Sequence, residues 1–396
     1  MSAVRRALPL WLALATVYTL VWAIGIGPAA DVSAPEAHRL LGAESLVSDG
    51  DLDLTDEFAT RAWRDFYDGP LRPVAGLTDG RLVEPSGLGF ELLIAPAYAV
   101  GGVTGVRLLL GAIAALAFCL AAALGRRLVP EPWPTRAALV VGLSPPALGA
   151  AAAVSPEMVG GAALAGAALL ALGVRERPRT SAAFGSAALV AALPWLAAKL
   201  VAPAVVIAAA LTRWLRRRQR GVAGFVALEV ALTSAVVYVT VNDRLFGGLT
   251  PHDLAGGGPT GASGAAEHLE RAPRLVTLWL DPGDGLLLWA PFVALAFVAL
   301  WLLWRSRKER LAVAVLDQVD VEVAAAFLAL ITAAVVLVAT FLAPSIDGAW
   351  YPARQLVPAL PLLAALCAWG LRFAPRAGAV LAALTLAASA VALATA

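Results

Sequence analysis

The chain has two cysteines, three histidines and two methionines among its 396 residues, and these scarcities remove whole classes of protein. Cys119 and Cys367 both fall inside apolar runs, so neither a disulfide framework nor a cysteine metal motif has anything to build on. His38, His252 and His268 lie far apart, which leaves a zinc site without paired ligands. Charge is scarce too, at 15% of residues against about a quarter in a soluble domain. The net charge of +2 is spread in short basic clusters, which argues against a nucleic-acid surface.

What remains is apolar: 60% of the residues are hydrophobic. Runs of roughly 20 residues rich in Ala, Leu and Val recur from end to end, each long enough to cross about 30 Å of hydrocarbon. These runs predict an all-α polytopic membrane protein, with residues 1–396 forming one transmembrane domain.

Arginine clusters mark cytoplasmic loops, and they thread the chain consistently. Arg5 and Arg6 precede an apolar stretch from about Ala7 to Pro28, too long for a signal-peptide core and read as a retained first helix with the N-terminus inside. Helix 2 (about Thr104 to Gly125) ends inward at Arg126–Arg127, helix 3 runs from after Arg136 to about Val154, and Ser155-Pro156-Glu157 turns outside. Helix 4 (about Met158 to Val174) returns to Arg175, Arg177 and Arg179, helices 5 and 6 flank an outward Lys199, and helix 6 delivers Arg213 to Arg220 inward. Helix 7 (about Val222 to Val241) leads to a second outer loop, 242–284, and helix 8 (about Leu286 to Trp304) returns to Arg305, Arg307, Lys308 and Arg310. Helices 9 (about Val323 to Ala343), 10 (about Leu356 to Leu371, before Arg372 and Arg376) and 11 (Ala377 to about Thr395) bring the total to about eleven, with the C-terminus outside.

Gly87 to Gly102 is apolar but short and broken by Pro96, and counting it as a span would invert every later cluster. It is therefore read as an interfacial or re-entrant helix. Residues 29–103 then form one long extracytoplasmic loop containing short interfacial helices, and loops this long are usually functional.

Carboxylates are the plentiful general bases there. Asp31, Glu36 and His38 stand nearest the end of helix 1, where a lipid substrate would arrive, although an acidic loop that is merely solvated would look the same. Asp49-Gly-Asp51-Leu-Asp53 has the alternating oxygens of half a calcium loop but lacks the glycine and glutamate of an EF-hand. A turn feeding a short strand is the favoured reading, which leaves room for a divalent cation without requiring one. Glu229, mid-helix, should face a cavity or a partner. Lys199, one of two lysines, suits either a phosphate or an interfacial anchor. Arg107 and Arg354 break the inward bias for arginine, so they either clamp a phosphate or pair with outer carboxylates. Trp350 and Tyr351 fit an interfacial belt or a sugar platform.

An ordered set of short motifs spans nearly the whole chain. It comprises Glu36-Ala-His38-Arg39-Leu-Leu, Ser45-Leu46, Asp49-Gly-Asp51-Leu-Asp53-Leu54, Pro85-Ser-Gly-Leu-Gly, Leu93-Ile-Ala-Pro96, Pro194-Trp195 with Lys199, Phe246-Gly247, Asp284-Gly285-Leu, Ala290-Pro291, and Trp350 to Arg354 before Pro358 and Pro361. The set resembles the GT-C superfamily of membrane glycosyltransferases, in particular bacterial relatives of the dolichyl-phosphate-mannose protein mannosyltransferases. That resemblance implies a polyprenyl-phosphate sugar donor, an extracytoplasmic envelope glycan or protein acceptor, and inversion at the anomeric carbon. The superfamily's Asp-Glu-Pro element is altered, with Pro35 in the aspartate's place and Ala37 in the proline's. Either Glu36 or Asp31 serves as base, or transfer is lost.

The expected function is transfer of a sugar from a polyprenyl phosphate, with Glu36 or Asp31 as base and Lys199 and Arg354 on the leaving phosphate. Trp195, Trp350 and Tyr351 would line the sugar, with His38 and Arg107 as further binding residues. The rivals are a flippase for a lipid-linked precursor, suggested by Glu229 and the proline-broken helices, and a non-catalytic relative.

Overall fold

The computed structural model describes residues 3–24, 31–74, 81–85, 87–177, 179–217, 221–251, 264–309, 316–344 and 351–395, with side chains at all of these except 3–6, 306–309, 316–319 and 395. Among the described residues, seven helices are long and apolar enough to cross a membrane, and three shorter apolar helices accompany them. The chain is a polytopic helical membrane protein.

The centre is built from the least bulky helices. α7 (Pro156–Glu176) buries Gly160, Gly161, Ala162, Ala165, Gly166, Ala167, Ala168 and Ala171, and these small side chains let neighbouring backbones approach closely. Around it pack α4 (Leu88–Gly125), α8 (Thr180–Leu196), α9 (Val201–Arg217) and α16 (Leu360–Phe373). α1 (Ala3–Ala23), α5 (Trp133–Gly142) and α6 (Pro145–Ala152) close one side. α10 (Gly221–Phe246) is peripheral: the most apolar 18-residue window of that span is 6% buried, against 78% in α7. Glu229, expected to face a cavity or partner, is instead exposed on the outer side of α10.

Prolines and glycines explain where the observed elements depart from single spans. The expected third helix is two, because Pro145 and Pro146 open α6 and disfavour helical backbone at Ser144, which lies extended and caps the break. The expected eighth helix is likewise split by Ala290-Pro291 into α13 (Leu286–Trp289), a short 3-10 turn and α14 (Ala294–Glu309). In α4 the helix breaks at Gly101 and Gly102, where Gly102 holds φ 55 and ψ −144, a conformation essentially reserved for glycine. The arm before the break, residues 88–100, is about 20 Å long at 1.5 Å per residue, too short to span. Gly102→Val is expected to cost about 1–3 kcal/mol, measured as a lower melting temperature in detergent.

The first long connector is folded. α2 (Ala34–Ser48) and α3 (Thr55–Thr60) enclose a small second core of Ala37, Leu41, Leu54, Trp63, Leu71 and Leu82. Asp53 does not feed a strand. Its Oδ1 accepts from Thr55 N and Oγ1 and from Leu82 N, so it ties the start of α3 to residue 82. Burial is the largest single influence on the Asp53 carboxyl and raises it, but these donors and Arg81 together hold it below the usual value. A lowered native pKa adds stability above the unfolded value of about 4 that is lost as pH falls through the native one. Asp53→Ala should therefore cost about 1 kcal/mol at neutral pH, and the difference in melting temperature from the parent should close on acidification.

α15 (Leu316–Leu337), α17 (Pro375–Thr395), α11 (Ala265–Glu270) and α12 (Arg274–Leu280) complete the chain. Cys119 and Cys367 are buried free thiols.

Candidate functional site

The strongest concentration of buried charge is built around Glu157. Ala153 and Ser155 are extended on either side of a tight turn at Val154, closed by Ser155 N donating to Ala153 O at 2.9 Å. Pro156 opens α7, so Glu157 falls in the first helical turn, where free N–H groups favour an acid. Glu157 is 2% exposed. Its Oε1 accepts from Lys199 Nζ at 3.0 Å and from Arg354 Nε at 3.1 Å, while Oε2 is buried with no hydrogen-bond partner. Lys199 lies in the 3-10 turn between α8 and α9, and Arg354 opens the turn Arg354–Ala359 before α16. Three far-separated stretches thus meet on one carboxylate, and Lys199 and Arg354, both proposed from sequence, are brought together.

Arg39 adds a third cation. Its guanidinium donates to Val154 O at 2.8 Å and acts electrostatically on Glu157. Glu36, three residues earlier on α2, accepts from Val154 N at 2.6 Å. One turn of α2 therefore grips the N–H and the carbonyl of Val154, fixing the segment that delivers Glu157. The other oxygen of Glu36 accepts from Ser33 N (2.8 Å) and Ser33 Oγ (2.6 Å), a capping box at the start of α2. Glu36 is 2% exposed, and three donors engage its two oxygens.

Tyr351 stacks its Cβ over Gly149 and places its hydroxyl 3.5 Å from Ser155 Oγ. Burial, helped by the nearby Glu157 charge, pushes its phenol above the usual value, so it stays a neutral hydrogen-bonding group. Asp31 is exposed, and its carbonyl lies 3.5 Å from Arg107, which is buried against the Trp22 ring. Arg107 and Arg354 therefore have different partners. His38 turns to Glu84, with Nδ1 2.9 Å from Oε1. Trp195 directs its indole N–H to Ser234 at 3.4 Å and stacks edge-on to Tyr238 of α10. Trp350 and His252 lie outside the described residues.

Several motif fragments meet in space. Gly87 and Gly89 lie so close to the Trp195–Leu196 backbone that an added Cβ would stand 2.6 Å from Leu196 O and from Trp195 Cβ, respectively. Ala353 N donates to Asp284 O at 3.0 Å, with Ala353 in the left-handed region at φ 56. Glu84, Glu91, Gly42 and Phe246 border one small pocket. Glu157 and Arg39 were missed as site residues because neither is distinctive alone. The available signal was an acid next to a helix-opening proline in a turn read as outside.

A bundle of membrane helices, a folded first connector and a short arm broken at a glycine pair make a fold that is shared with solved structures. The particular likeness is to ArnT from Cupriavidus metallidurans. The apo structure matches with TM-score 0.57 and 17% identity over 96% of this chain. A structure of ArnT bound to undecaprenyl phosphate matches with TM-score 0.57 and 14% identity, again over 96% of this chain. In both comparisons the chain covers 62% of the ArnT chain. No protein-family model and no curated protein sequence matches it.

Proposed function

We propose that this protein is a GT-C type glycosyltransferase that moves a sugar from a polyprenyl phosphate to an envelope acceptor on the extracytoplasmic side. The observation that carries the reading is the clustering of Arg39, Lys199 and Arg354 about the single buried carboxylate of Glu157. Such a cluster has cationic charge to spare, and fixed cations stabilise the charge that develops on a departing phosphate. The undecaprenyl phosphate held by one ArnT structure supports the donor class. Tyr351 stands beside the cluster as a sugar or phosphate hydrogen-bonding group. Among the carboxylates, exposed Asp31 is the better base, since Glu36 is buried and engaged with Ser33 and Val154. In this reading Asp31 takes the acceptor proton, and Glu36 positions the site.

The test is binding of undecaprenyl phosphate to the purified chain, followed by transfer from a labelled polyprenyl-phosphate sugar. Each charge-assisted hydrogen bond to phosphate is worth about 1.5–3 kcal/mol, so Lys199→Gln should weaken binding roughly 10- to 100-fold. Asp31→Asn should abolish transfer while leaving binding in place. Unchanged binding in Lys199→Gln would refute the phosphate site. One observation favours a second reading, a non-catalytic relative: Pro35 replaces the motif aspartate and Glu36 is engaged as a cap. Binding without transfer in the unaltered chain would select it.

A further inference from the structure

At the far end of α2, a second group of acids has no counterpart in the reading above. Carboxylate oxygens of Asp49, Asp56 and Glu57 all lie within 4.8 Å of one another. Asp49 and Asp56 are exposed, but Glu57 is 4% exposed, and both its oxygens are buried without a hydrogen-bond partner. No basic side chain forms an ion pair with any of the three among the described residues. A buried carboxylate without a hydrogen-bond partner, facing two further acids, is costly as a lone anion: it takes up a proton, as burial and Asp56 favour, or a positive charge completes the group.

The local chain explains the convergence. Asp49 is the residue that ends α2, Gly50 turns the chain at φ 77, and Asp56 and Glu57 occupy the first turn of α3. The two acids on α3 suit its N-terminus, but an acid at the C-terminal end of α2 opposes that helix's dipole. Ser48 Oγ, 3.0 Å from Asp49 Oδ2, is the hydroxyl at the rim.

We propose that Asp49, Asp56 and Glu57 bind a divalent cation of the hard, oxygen-seeking kind, calcium above all, which fastens the end of α2 to the start of α3. Oxygen-only ligands select against zinc and copper, and calcium tolerates the irregular geometry of a short loop. The site lies about 20 Å along α2 from Glu36, at 1.5 Å per residue. It is therefore separate from the Glu157 cluster and stands whether or not the chain transfers sugars.

The full chain, purified in detergent and stripped with chelator, is titrated with Ca2+ in equilibrium dialysis and in thermal melts. One Ca2+ per chain is expected, with a melting temperature that rises with its concentration. Glu57→Gln should weaken binding at least tenfold, yet melt no lower than the parent in chelator, because it removes an unpartnered buried carboxylate. Asp49→Asn, at an exposed position, should also weaken binding and decides the matter if Glu57→Gln does not fold. Absence of saturable binding of Ca2+, Mg2+ or Mn2+, or parent-like binding in the variants that fold, would overturn the proposal.

Discussion

Glu157→Gln is expected to destabilise the free protein by about 3 kcal/mol, the lower end of the range for breaking a buried ion pair. The lower end applies because the side chains of Lys199 and Arg354 keep 26% and 21% of their exposure, so water compensates them in part. The glutamine keeps the shape and an acceptor but leaves Lys199, Arg354 and Arg39 without their counter-charge. If these cations serve a lipid phosphate, undecaprenyl phosphate should raise the melting temperature of the variant by more than it raises that of the parent, since the phosphate then supplies the missing anion. Equal responses in the two proteins would mean that the cations serve Glu157 alone.

The second large effect is steric. A Cβ on Gly89 would stand 2.6 Å from Trp195 Cβ and 2.9 Å from Trp195 O, and backbone cannot retreat as a side-chain tip can. Gly89→Val should cost about 3 kcal/mol, the upper end of the range for overpacking. On the proposed function it should also weaken undecaprenyl phosphate binding, because the displaced Trp195–Leu196 segment leads directly into the turn that carries Lys199. Gly173→Ala is the matching control. It has open space around the added methyl and lies within a helix, so a gain of up to about 1 kcal/mol is expected. A Gly89→Val protein as stable as the parent would show that the two segments are not in firm contact.

The bundle was legible because hydropathy and helix-breaking residues are local signals. Pro145-Pro146, Pro291 and Gly101-Gly102 mark the breaks that the structure contains. The short apolar segment before Gly102 is separable from the span after it by its length and by the arginine clusters that follow, although the break falls at Gly101-Gly102 and not at Pro96, which the helix accommodates. The Glu157 cluster was legible only in pieces. Lys199 and Arg354 stood out as basic residues in unusual places, whereas Glu157 gains its meaning from residues 42 and 197 positions away. Glu36 attracted attention as a base, but Ser33-Ala-Pro-Glu36 also has the spacing of a capping box, and the local hydrogen bonds use it as one. The indole N–H of Trp195 meets Ser234 across a helix interface that no sequence pattern announces.

The sparse packing of α10 bears on how the protein is made. Its mean hydropathy of 2.0 exceeds the 1.7 of the well-buried α7, although it touches far less protein. Glu229 costs about 2.5–3.5 kcal/mol at the centre of an inserting helix, a penalty that Phe225, Leu228, Leu232 and Val236, at about 0.3–0.6 kcal/mol each, offset in part and the other apolar residues of the helix make up. α10 therefore has enough lipid affinity of its own to enter the bilayer as a separate helix during synthesis. α7 is also apolar enough to span, but its small buried residues serve contact with neighbouring helices, a role that α10 hardly shares.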